Sequence, residues 1–189
     1  DAMARRLPAF GTLVDLGAGN CEKAARLFAP FGVHRYVAVD ISVDYLRESL
    51  DVLRRQHPQL ELLGVGLDFS SRLELPAEAG EGPRLLFYPG SSIGNFTPDA
   101  ALAFLRRARA AAQGGGLLIG VDLVKPVDVL EAAYDDSLGV TAAFNRNVLR
   151  HVHRVAGADF SLADWRHVAF FNGADSRIEM HLEAVRDVS

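Results

Sequence analysis

The stretch Leu13-Val14-Asp15-Leu16-Gly17-Ala18-Gly19-Asn20 determines the fold that the sequence predicts. Residues 13–16 have the length and apolar character of a buried β-strand, and glycines follow directly at positions 17 and 19. Glycine lets the backbone turn sharply, and it lets a ligand approach where a Cβ atom would clash. We therefore predict a parallel strand that ends in a ligand-binding turn.

Beyond this turn, apolar runs of strand length alternate with segments whose apolar residues have helical spacing. The predicted strands are 13–16, 35–40, 60–65, 84–88 and 117–123, and the predicted helices are about 21–29, 42–57 and 97–113. Strands and helices that alternate in this way form a parallel sheet with helices on both faces. The predicted fold is therefore α/β, with a doubly wound, Rossmann-like sheet in the strand order 3-2-1-4-5.

The pattern changes after Lys125-Pro126. The elements predicted beyond this point are two helices within residues 127–155, broken near 137–139, and two strands at 167–171 and 177–184. The dipeptide Asn172-Gly173, between the two strands, is typical of a tight hairpin turn. We predict a Rossmann-like domain over residues 1–125 and a small lobe over residues 126–189.

Composition and charge restrict the ligands that the chain can bind. Hydrophobic residues make up 49% and charged residues 23% of the 189 residues, as in ordinary globular proteins. The net charge is −4 and no long Lys/Arg run occurs, so the basic surface of a nucleic-acid-binding protein is missing. The apolar runs have only strand length. We therefore expect a small-molecule substrate, and neither nucleic acid nor a membrane as a partner.

The chain has one cysteine, Cys21, which excludes an internal disulfide framework and a Cys-rich zinc site. His151 and His153 are two residues apart on a predicted helix, so they point to different faces and do not form a helical metal pair. We expect a cytoplasmic protein, in a reducing environment, that holds no metal. The oligomeric state is left open.

Details of the glycine-rich turn narrow the choice of ligand. The third glycine of the dinucleotide fingerprint would fall at position 22, which is Glu22, and the Lys-Ser/Thr of a phosphate-binding loop is absent. The acidic Asp15 just before the turn suits a cationic ligand. S-Adenosylmethionine carries a sulfonium and an ammonium group but no phosphate. We therefore favour this cofactor, and a class I methyltransferase, over an NAD-dependent oxidoreductase or a turn without a ligand.

Polar residues follow the later strands at the same edge of the predicted sheet. Asp40 ends the second strand, where a carboxylate can accept both ribose hydroxyls. Asp68-Phe69 follows the third strand and can meet the adenine ring, although an Asp at such a place more often caps a turn. Asn95 lies in the loop after the fourth strand, where its carboxamide can bind an amine or a carboxylate. The alternative for Asn95 is a left-handed turn beside Gly94.

Several segments of the chain together resemble one known family. They are Asp15-Leu16-Gly17-Ala18-Gly19 with Lys23, Pro89-Gly90-Ser91-Ser92-Ile93-Gly94-Asn95, Asp122-Leu123-Val124-Lys125, Ala133-Tyr134-Asp135-Asp136, Gly139-Val140-Thr141-Ala142-Ala143-Phe144-Asn145 and Ile178-Glu179-Met180. This pattern resembles the histidine-specific S-adenosylmethionine-dependent methyltransferases. The best-known members methylate the α-amine of histidine to the trimethylated betaine hercynine in ergothioneine biosynthesis.

The resemblance implies a role for each of these segments. It implies S-adenosylmethionine as the cofactor and residues 126–189 as part of a substrate-binding lobe inserted after the fifth strand. The residues that it places at the cofactor, together with two glycines of the same loops, are Gly17, Gly19, Lys23, Asp40, Asp68, Phe69, Gly90 and Ser91. Asn95 and Tyr134 would hold the α-amine and the carboxylate of the substrate and act in catalysis, with Thr141, Asn145 and Met180 nearby.

The chain also departs from the family pattern. Family members begin with a further segment whose tyrosines close over the substrate, and they continue with residues that contact the imidazole and with the last strands of the sheet. We therefore expect these 189 residues to be incomplete at both ends. Because the segments that select histidine are the missing ones, a tryptophan derivative is the first alternative substrate. A cofactor-binding module without turnover is the second alternative.

Overall fold

The computed structural model describes residues 8–187, which form two compact units. The first unit ends at Asp122 and the second begins at Leu123, slightly before the predicted domain boundary at residues 125 and 126. Each unit has its own sheet.

The first unit is built on a five-stranded sheet. Its strands are β1 (Thr12–Leu16), β2 (Arg35–Asp40), β3 (Glu61–Gly66), β4 (Arg84–Tyr88) and β5 (Gly116–Ile119). All pair in parallel, in the order β3-β2-β1-β4-β5, which confirms the predicted fold class and strand order. The direction of winding reverses between β1 and β4, and ligands of such sheets bind beyond the strand ends at this switch point.

Helices cover both faces of this sheet. They are α1 (Glu22–Ala25), α2 (Phe28–Phe31), α3 (Val43–Gln56) and α4 (Pro98–Ala111). The prediction of one helix over residues 21–29 is wrong, because α1 and α2 are separate short helices. Pro30 gives a physical reason: proline lacks the N–H of a helix interior and is tolerated only in a first turn, so the chain must start a new helix near Phe28.

Two predicted helix starts are found, with different local chemistry. Thr97 precedes α4 and its hydroxyl accepts from the backbone N–H of Ala100 at 3.3 Å, with Pro98 at the first helical position. Ser42 precedes α3, but its side chain makes no capping hydrogen bond. Instead, its backbone N–H donates to Oδ1 of Asp40 at 2.9 Å, so the end of β2 and the start of α3 are joined by Asp40.

The central strands β1, β2 and β4 are buried on both faces because their side chains alternate between two apolar layers, whereas the outer strands β3 and β5 are only partly buried. Leu13, Tyr36 and Leu85 face the layer that contains α2 and α3. The opposite layer contains α4, and its buried members include Val14, Leu16, Val37, Val39, Leu86, Tyr88, Phe104 and Ala108. The central strands β1 and β4 are buried at every position, so their carboxyl ends form a rigid support for the loops that follow them.

The fifth strand is shorter than predicted: it ends at Ile119, and residues 120–126 have no regular structure. The backbone N–H of Gly120 donates to Tyr88 O at 2.9 Å, and a Cβ atom at Gly120 would lie 2.2 Å from the carbonyl oxygen of Pro89. The chain therefore leaves the sheet at Gly120, where only glycine fits against the loop that follows β4.

The second unit contains two helices and a hairpin. Its elements are α5 (Val127–Tyr134), α6 (Val140–Ala156), β6 (Trp165–Asn172) and β7 (Arg177–Ala184), with β6 and β7 antiparallel. The predicted break near residues 137–139 separates the two helices. The predicted hairpin is confirmed: Asn172 pairs with Arg177, and the turn consists of residues 173–176. The Oδ1 atom of Asn172 accepts from the N–H groups of Ala174 and Asp175 and shapes this turn.

Candidate cofactor and substrate sites

A cavity of about 210 Å³ lies at the switch point, between the loops that follow β1 and β4. We call it the loop cavity. Its lining residues are Asp15, Leu16, Gly17, Ala18, Gly19, Asn20, Lys23, Phe69, Tyr88, Pro89, Gly90 and Ser92. Five of the residues predicted at the cofactor are among them: Gly17, Gly19, Lys23, Phe69 and Gly90. The structure therefore brings most of the predicted set together at the place where the fold binds ligands.

The glycine-rich turn forms one wall of the loop cavity. Gly17 and Gly19 have φ angles of 77° and 52°, in the left-handed region that favours glycine. The backbone N–H groups of Gly17 and Ala18 both donate to Val39 O, at 2.9 and 3.1 Å, which fixes the turn to the end of β2. The ring of Phe69 lies 3.7 Å from the position that a Cβ atom on Gly17 would take. Gly17 and the Phe69 ring thus lie next to each other in the wall of the loop cavity.

Asp40 contacts the glycine-rich turn and does not line the loop cavity. Its Oδ2 atom accepts from the backbone N–H of Gly19 at 3.0 Å, and its Oδ1 atom accepts from Ser42. Each carboxylate oxygen has a second lone pair with which it can accept a further hydrogen bond. Asp40 therefore braces the turn and keeps acceptor capacity at the end of β2, where the ribose of a nucleotide binds in folds of this type.

Asp68 and Phe69 differ in what they do. The Oδ1 atom of Asp68 accepts from the backbone N–H of Ser70 at 3.0 Å and from its hydroxyl at 2.5 Å, and these bonds lower the pKa of Asp68. Asp68 is exposed and caps a turn, which is the alternative that the sequence left open. Phe69 lies at the loop cavity and meets Tyr88 edge to face, with 5.6 Å between ring centroids.

The loop after β4 has a left-handed residue, Ser91, with a φ angle of 58°. Its Oγ atom accepts from the backbone N–H of Asp122 at 2.7 Å, which ties this loop to the segment after β5. Ser91 does not line the loop cavity. Asn95 ends a 3₁₀ turn that begins at Ser92, and its side chain is exposed. The left-handed alternative for Asn95 is wrong, because the left-handed position in this loop is Ser91.

Asp15 and Tyr36 form a buried polar pair at the wall of the loop cavity. The sequence identifies Asp15 as a candidate for ligand binding but not Tyr36. Asp15, 3% exposed, accepts at Oδ2 from the hydroxyl of Tyr36 at 2.8 Å, and Tyr36 is fully buried. Burial raises the pKa of Asp15 to about 6; the Tyr36 hydrogen bond and Lys23 oppose this rise, and Asp40 adds to it. Sequence reasoning missed Tyr36 because an aromatic residue inside a buried strand has the pattern of a core residue.

In the second unit, His167 joins two of the residues predicted at the substrate. Its Nε2 atom donates to the backbone oxygen of Tyr134 at 2.8 Å, and its Nδ1 atom lies 3.0 Å from Nδ2 of Asn145. The same Nδ2 atom donates to His181 O at 3.0 Å, which fixes the orientation of the amide, because a carbonyl oxygen cannot donate. His167 therefore accepts at Nδ1 and carries its proton on Nε2.

Thr141 and Met180, also predicted at the substrate, belong to the same unit. Thr141 is one helical turn before Asn145 on α6, so the two share a face of the helix. Its backbone N–H donates to Oδ1 of Asp136 at 2.7 Å, and Asp136 thereby caps α6. Met180 is 39% exposed on β7, next to His181. Tyr134, the last residue of α5, is 37% exposed, so its side chain is accessible to a ligand.

Two further properties concern residues 8–187 as a whole. Within this range no group of three or more His, Cys, Asp and Glu side chains is arranged to hold a metal ion. None of the helices in the same range combines the length and the apolar character that crossing a bilayer requires.

The strand order, the two-glycine turn and the loop cavity with its buried carboxylate define a class I S-adenosylmethionine-dependent methyltransferase fold. A solved structure supports the fold: a chain from Methanococcus maripaludis assigned to the S-adenosylmethionine-dependent methyltransferases matches with a TM-score of 0.50 and 16% identity, over 99% of this chain and 84% of the other. The chain belongs to the family of histidine-specific, S-adenosylmethionine-dependent methyltransferases, whose family model matches residues 1–189.

Curated relatives agree with this assignment. A histidine N-alpha-methyltransferase of Mycolicibacterium smegmatis is 40% identical over 178 residues, which are 92% of this chain and 55% of the relative. A 4-dimethylallyltryptophan N-methyltransferase of Epichloe festucae var. lolii is 30% identical over 145 residues, which are 69% of this chain and 42% of the relative. The chain thus spans about half the length of the curated relatives that it matches.

Proposed function

We propose that this chain takes part in the S-adenosylmethionine-dependent methylation of the α-amine of histidine, up to the trimethylated product. The observation that carries the proposal is the loop cavity, whose wall is a buried carboxylate beside a glycine-rich turn. This cavity lies in a chain that is 40% identical to a histidine N-alpha-methyltransferase. A cavity of this kind suits a ligand that combines a nucleoside with cationic groups.

The residues of the first unit fit this cofactor. The left-handed glycines let the backbone approach a ligand closely, Asp15 provides a negative charge, and Phe69 provides an apolar surface for a ring. When bound, S-adenosylmethionine supplies an electrophilic methyl group on a sulfonium sulfur. We propose that Asp40 accepts the ribose hydroxyls, that Asp68 lies near the adenine, and that Gly90 and Ser91 position the loop after β4.

On the substrate side, the chain contributes orientation. Methyl transfer needs a neutral amine in line with the breaking bond, so holding the amine in place accounts for much of the rate. We propose that the exposed Asn95 carboxamide and the Tyr134 hydroxyl hold the amine and the carboxylate. Thr141, Asn145 and Met180 are proposed to lie near the substrate; Asn145 already uses Nδ2 to hold His167, which leaves its Oδ1 atom for a ligand.

A second candidate substrate is a tryptophan derivative. It is favoured by the 30% identity to a 4-dimethylallyltryptophan N-methyltransferase over 69% of this chain. The two candidates differ in the side chain that the enzyme must accommodate, and they share the amine and the carboxylate. Asn95 and Tyr134, which are assigned to the shared groups, would therefore serve either substrate.

The deciding experiment is a methylation assay of the full-length protein with S-adenosylmethionine and a panel of free histidine, tryptophan and 4-dimethylallyltryptophan, analysed by mass. We expect histidine to gain up to three methyl groups and the tryptophan compounds to stay unmodified. The 189 residues alone, which span 55% of the histidine N-alpha-methyltransferase that they match, are expected to bind the cofactor but to methylate histidine very slowly or not at all. The matched control is Asn95→Ala, which should lose turnover while its affinity for S-adenosylhomocysteine stays near that of the wild type. Preferential methylation of a tryptophan compound would replace histidine as the substrate. Cofactor binding with no methylated product would identify a binding module without turnover.

We also propose that the protein acts in the cytoplasm on a small molecule. The single cysteine, Cys21, is buried and forms no disulfide, which is consistent with a reducing environment. Fractionation of cells that express a tagged chain, with detection in the cytosolic fraction, tests the location.

A further inference from the structure

Asp15 and Tyr36 form a contact in which only one partner can reach a ligand. Asp15 lines the loop cavity, whereas Tyr36 lies behind it in β2 and is fully buried. The Tyr36 hydroxyl donates its hydrogen to Oδ2 of Asp15 at 2.8 Å. The remaining acceptor capacity of the carboxylate is therefore available on the side of the cavity.

Among the groups around Asp15, the Tyr36 hydroxyl does most to stabilise the negative charge of the carboxylate. The titratable groups that act on the carboxyl are Tyr36 and Asp40 of β2 and Cys21 and Lys23 at the start of α1. Tyr88 of β4 lines the same cavity, but it belongs to the apolar layer on the other face of the sheet. Burial raises the pKa of Tyr36 and of Cys21, so both stay protonated near neutral pH. Asp40 opposes ionisation of Asp15, and the exposed Lys23 favours it less strongly than Tyr36 does.

We infer that Tyr36 is a positioning residue of the cofactor site: its hydroxyl, acting through Asp15, maintains the negative charge that the loop cavity presents to a cationic centre of the ligand. The inference rests on the proposed cofactor, which has two such centres, the ammonium and the sulfonium. Because a hydrogen bond to the ionised form favours that form, loss of the Tyr36 hydroxyl leaves a buried carboxyl that takes up a proton at higher pH.

The direction of the pH effect follows from the pKa of Asp15, which is about 6 in the folded chain. The ionised form binds a cation, so affinity is highest well above pH 6 and falls as the pH drops through this value. Removal of the hydroxyl raises the pKa of Asp15 further. The loss of affinity in Tyr36→Phe should therefore begin at a higher pH than in the wild type.

The test is calorimetric titration of the whole chain with S-adenosylmethionine and, separately, with S-adenosylhomocysteine, at steps from pH 5 to pH 8. We expect Tyr36→Phe to bind up to about tenfold more weakly than the wild type near pH 6 and to approach it at pH 8, since one unit of pKa is a factor of ten in the ionised fraction. An effect on both ligands assigns Asp15 to the ammonium, which both carry. An effect on S-adenosylmethionine alone assigns it to the sulfonium.

Two further variants keep the test decisive. Asp15→Asn keeps the shape of the carboxyl and removes its charge, so it should bind weakly with no dependence on pH in this range, even if Tyr36→Phe does not fold. Tyr45→Phe, which removes a hydroxyl from a half-exposed tyrosine of α3 away from the loop cavity, should follow the wild type at every pH.

The outcomes separate this inference from the proposed function. If the wild type binds neither ligand at pH 8, both are overturned. If the wild type binds but its affinity does not change with pH, or if Tyr36→Phe has the same profile as the wild type, the proposed function stands and the role of Tyr36 is refuted.

Discussion

His167 donates a hydrogen bond from Nε2 to the backbone oxygen of Tyr134, and this bond of 2.8 Å joins β6 to the end of α5. The other ring nitrogen accepts from Asn145 of α6. One imidazole thus connects three elements of the second unit, and it does so through Tyr134 and Asn145, which are both proposed to lie near the substrate. Because Tyr134 is the last residue of its helix, where backbone carbonyls lack helical partners, the bond also satisfies an otherwise unpaired acceptor.

Removal of the ring nitrogens of His167 should destabilise the second unit. His167→Phe keeps a planar ring and leaves the Tyr134 oxygen and one N–H of Asn145 without partners. We expect a decrease of about 1–2 kcal/mol in the free energy of unfolding, measured by urea denaturation. The matched control is His153→Phe at an exposed position of α6, which should change stability by less than about 0.5 kcal/mol. Equal effects of the two substitutions would show that the hydrogen bonds of His167 do not stabilise the unit.

The sheet of the first unit could be predicted because its strands carry their own signal. β1 and β4 are buried at every position, so each is a short apolar run bounded by turn residues, and the two-glycine turn indicates where ligands bind. For the same reason, five of the eight residues predicted at the cofactor lie together at the loop cavity. Gly17 and Gly19 adopt positive φ angles, and the two closely spaced glycines indicate such a turn from the local sequence alone.

The features that sequence reasoning missed depend on partners far along the chain. Tyr36 and Asp15 are 21 residues apart, and His167 and Tyr134 are 33 residues apart. A buried tyrosine and a strand histidine each have the pattern of ordinary packing until the fold supplies the partner. The early end of β5 is another case, because it depends on how closely Gly120 passes Pro89.

Ser91 combines a left-handed backbone with a hydrogen bond, and two substitutions separate these features. Ser91→Ala loses the acceptor for Asp122 N–H and keeps a Cβ atom at a φ of 58°. Ser91→Gly also loses the acceptor but relieves the backbone. We expect Ser91→Gly to be more stable than Ser91→Ala by about 1 kcal/mol in thermal unfolding, since the left-handed conformation destabilises non-glycine residues by about this amount. Equal stability of the two variants would contradict a left-handed Ser91.

Gly120→Ala should disturb the loop after β4. The added Cβ atom would meet the Pro89 backbone at 2.2 Å from its oxygen and 2.8 Å from its carbonyl carbon, and neither atom can rotate away. We expect a loss of roughly 1–3 kcal/mol in stability, as for overpacked sites, together with weaker binding of S-adenosylhomocysteine. Gly94→Ala is the control for stability, because no atom lies within 4 Å of its added Cβ. A Gly120→Ala variant as stable as the wild type would show that Gly120 does not pass this close to the Pro89 backbone.

The stability of the second unit should depend on pH through Asp136. This carboxylate accepts from the backbone N–H groups of Thr141 and Val140, which lowers the pKa of Asp136 from 3.8 to about 2. A folded-state pKa below the unfolded value favours folding at higher pH, and the contribution is lost as the pH falls from about 4 to about 2. We expect Asp136→Asn to unfold at a lower temperature than the wild type at pH 6 and at nearly the same temperature at pH 2.

Asp135→Asn, one residue earlier and exposed, should follow the wild-type profile throughout. A constant difference between the wild type and Asp136→Asn across this range would exclude the role of ionisation.

Asp40 braces Gly19 and is proposed to accept the ribose hydroxyls of the cofactor. Asp40→Ala should weaken the binding of S-adenosylhomocysteine by roughly 1–3 kcal/mol, because buried hydroxyls then lack acceptors. The brace alone would also weaken binding, so the measurement needs a second ligand, an analogue of S-adenosylhomocysteine without the ribose hydroxyls. Direct contact predicts that Asp40→Ala lowers the affinity for S-adenosylhomocysteine clearly more than it lowers the affinity for the analogue. Equal losses for both ligands would show that Asp40 acts only by holding the turn at Gly19, and the ribose assignment would then be abandoned.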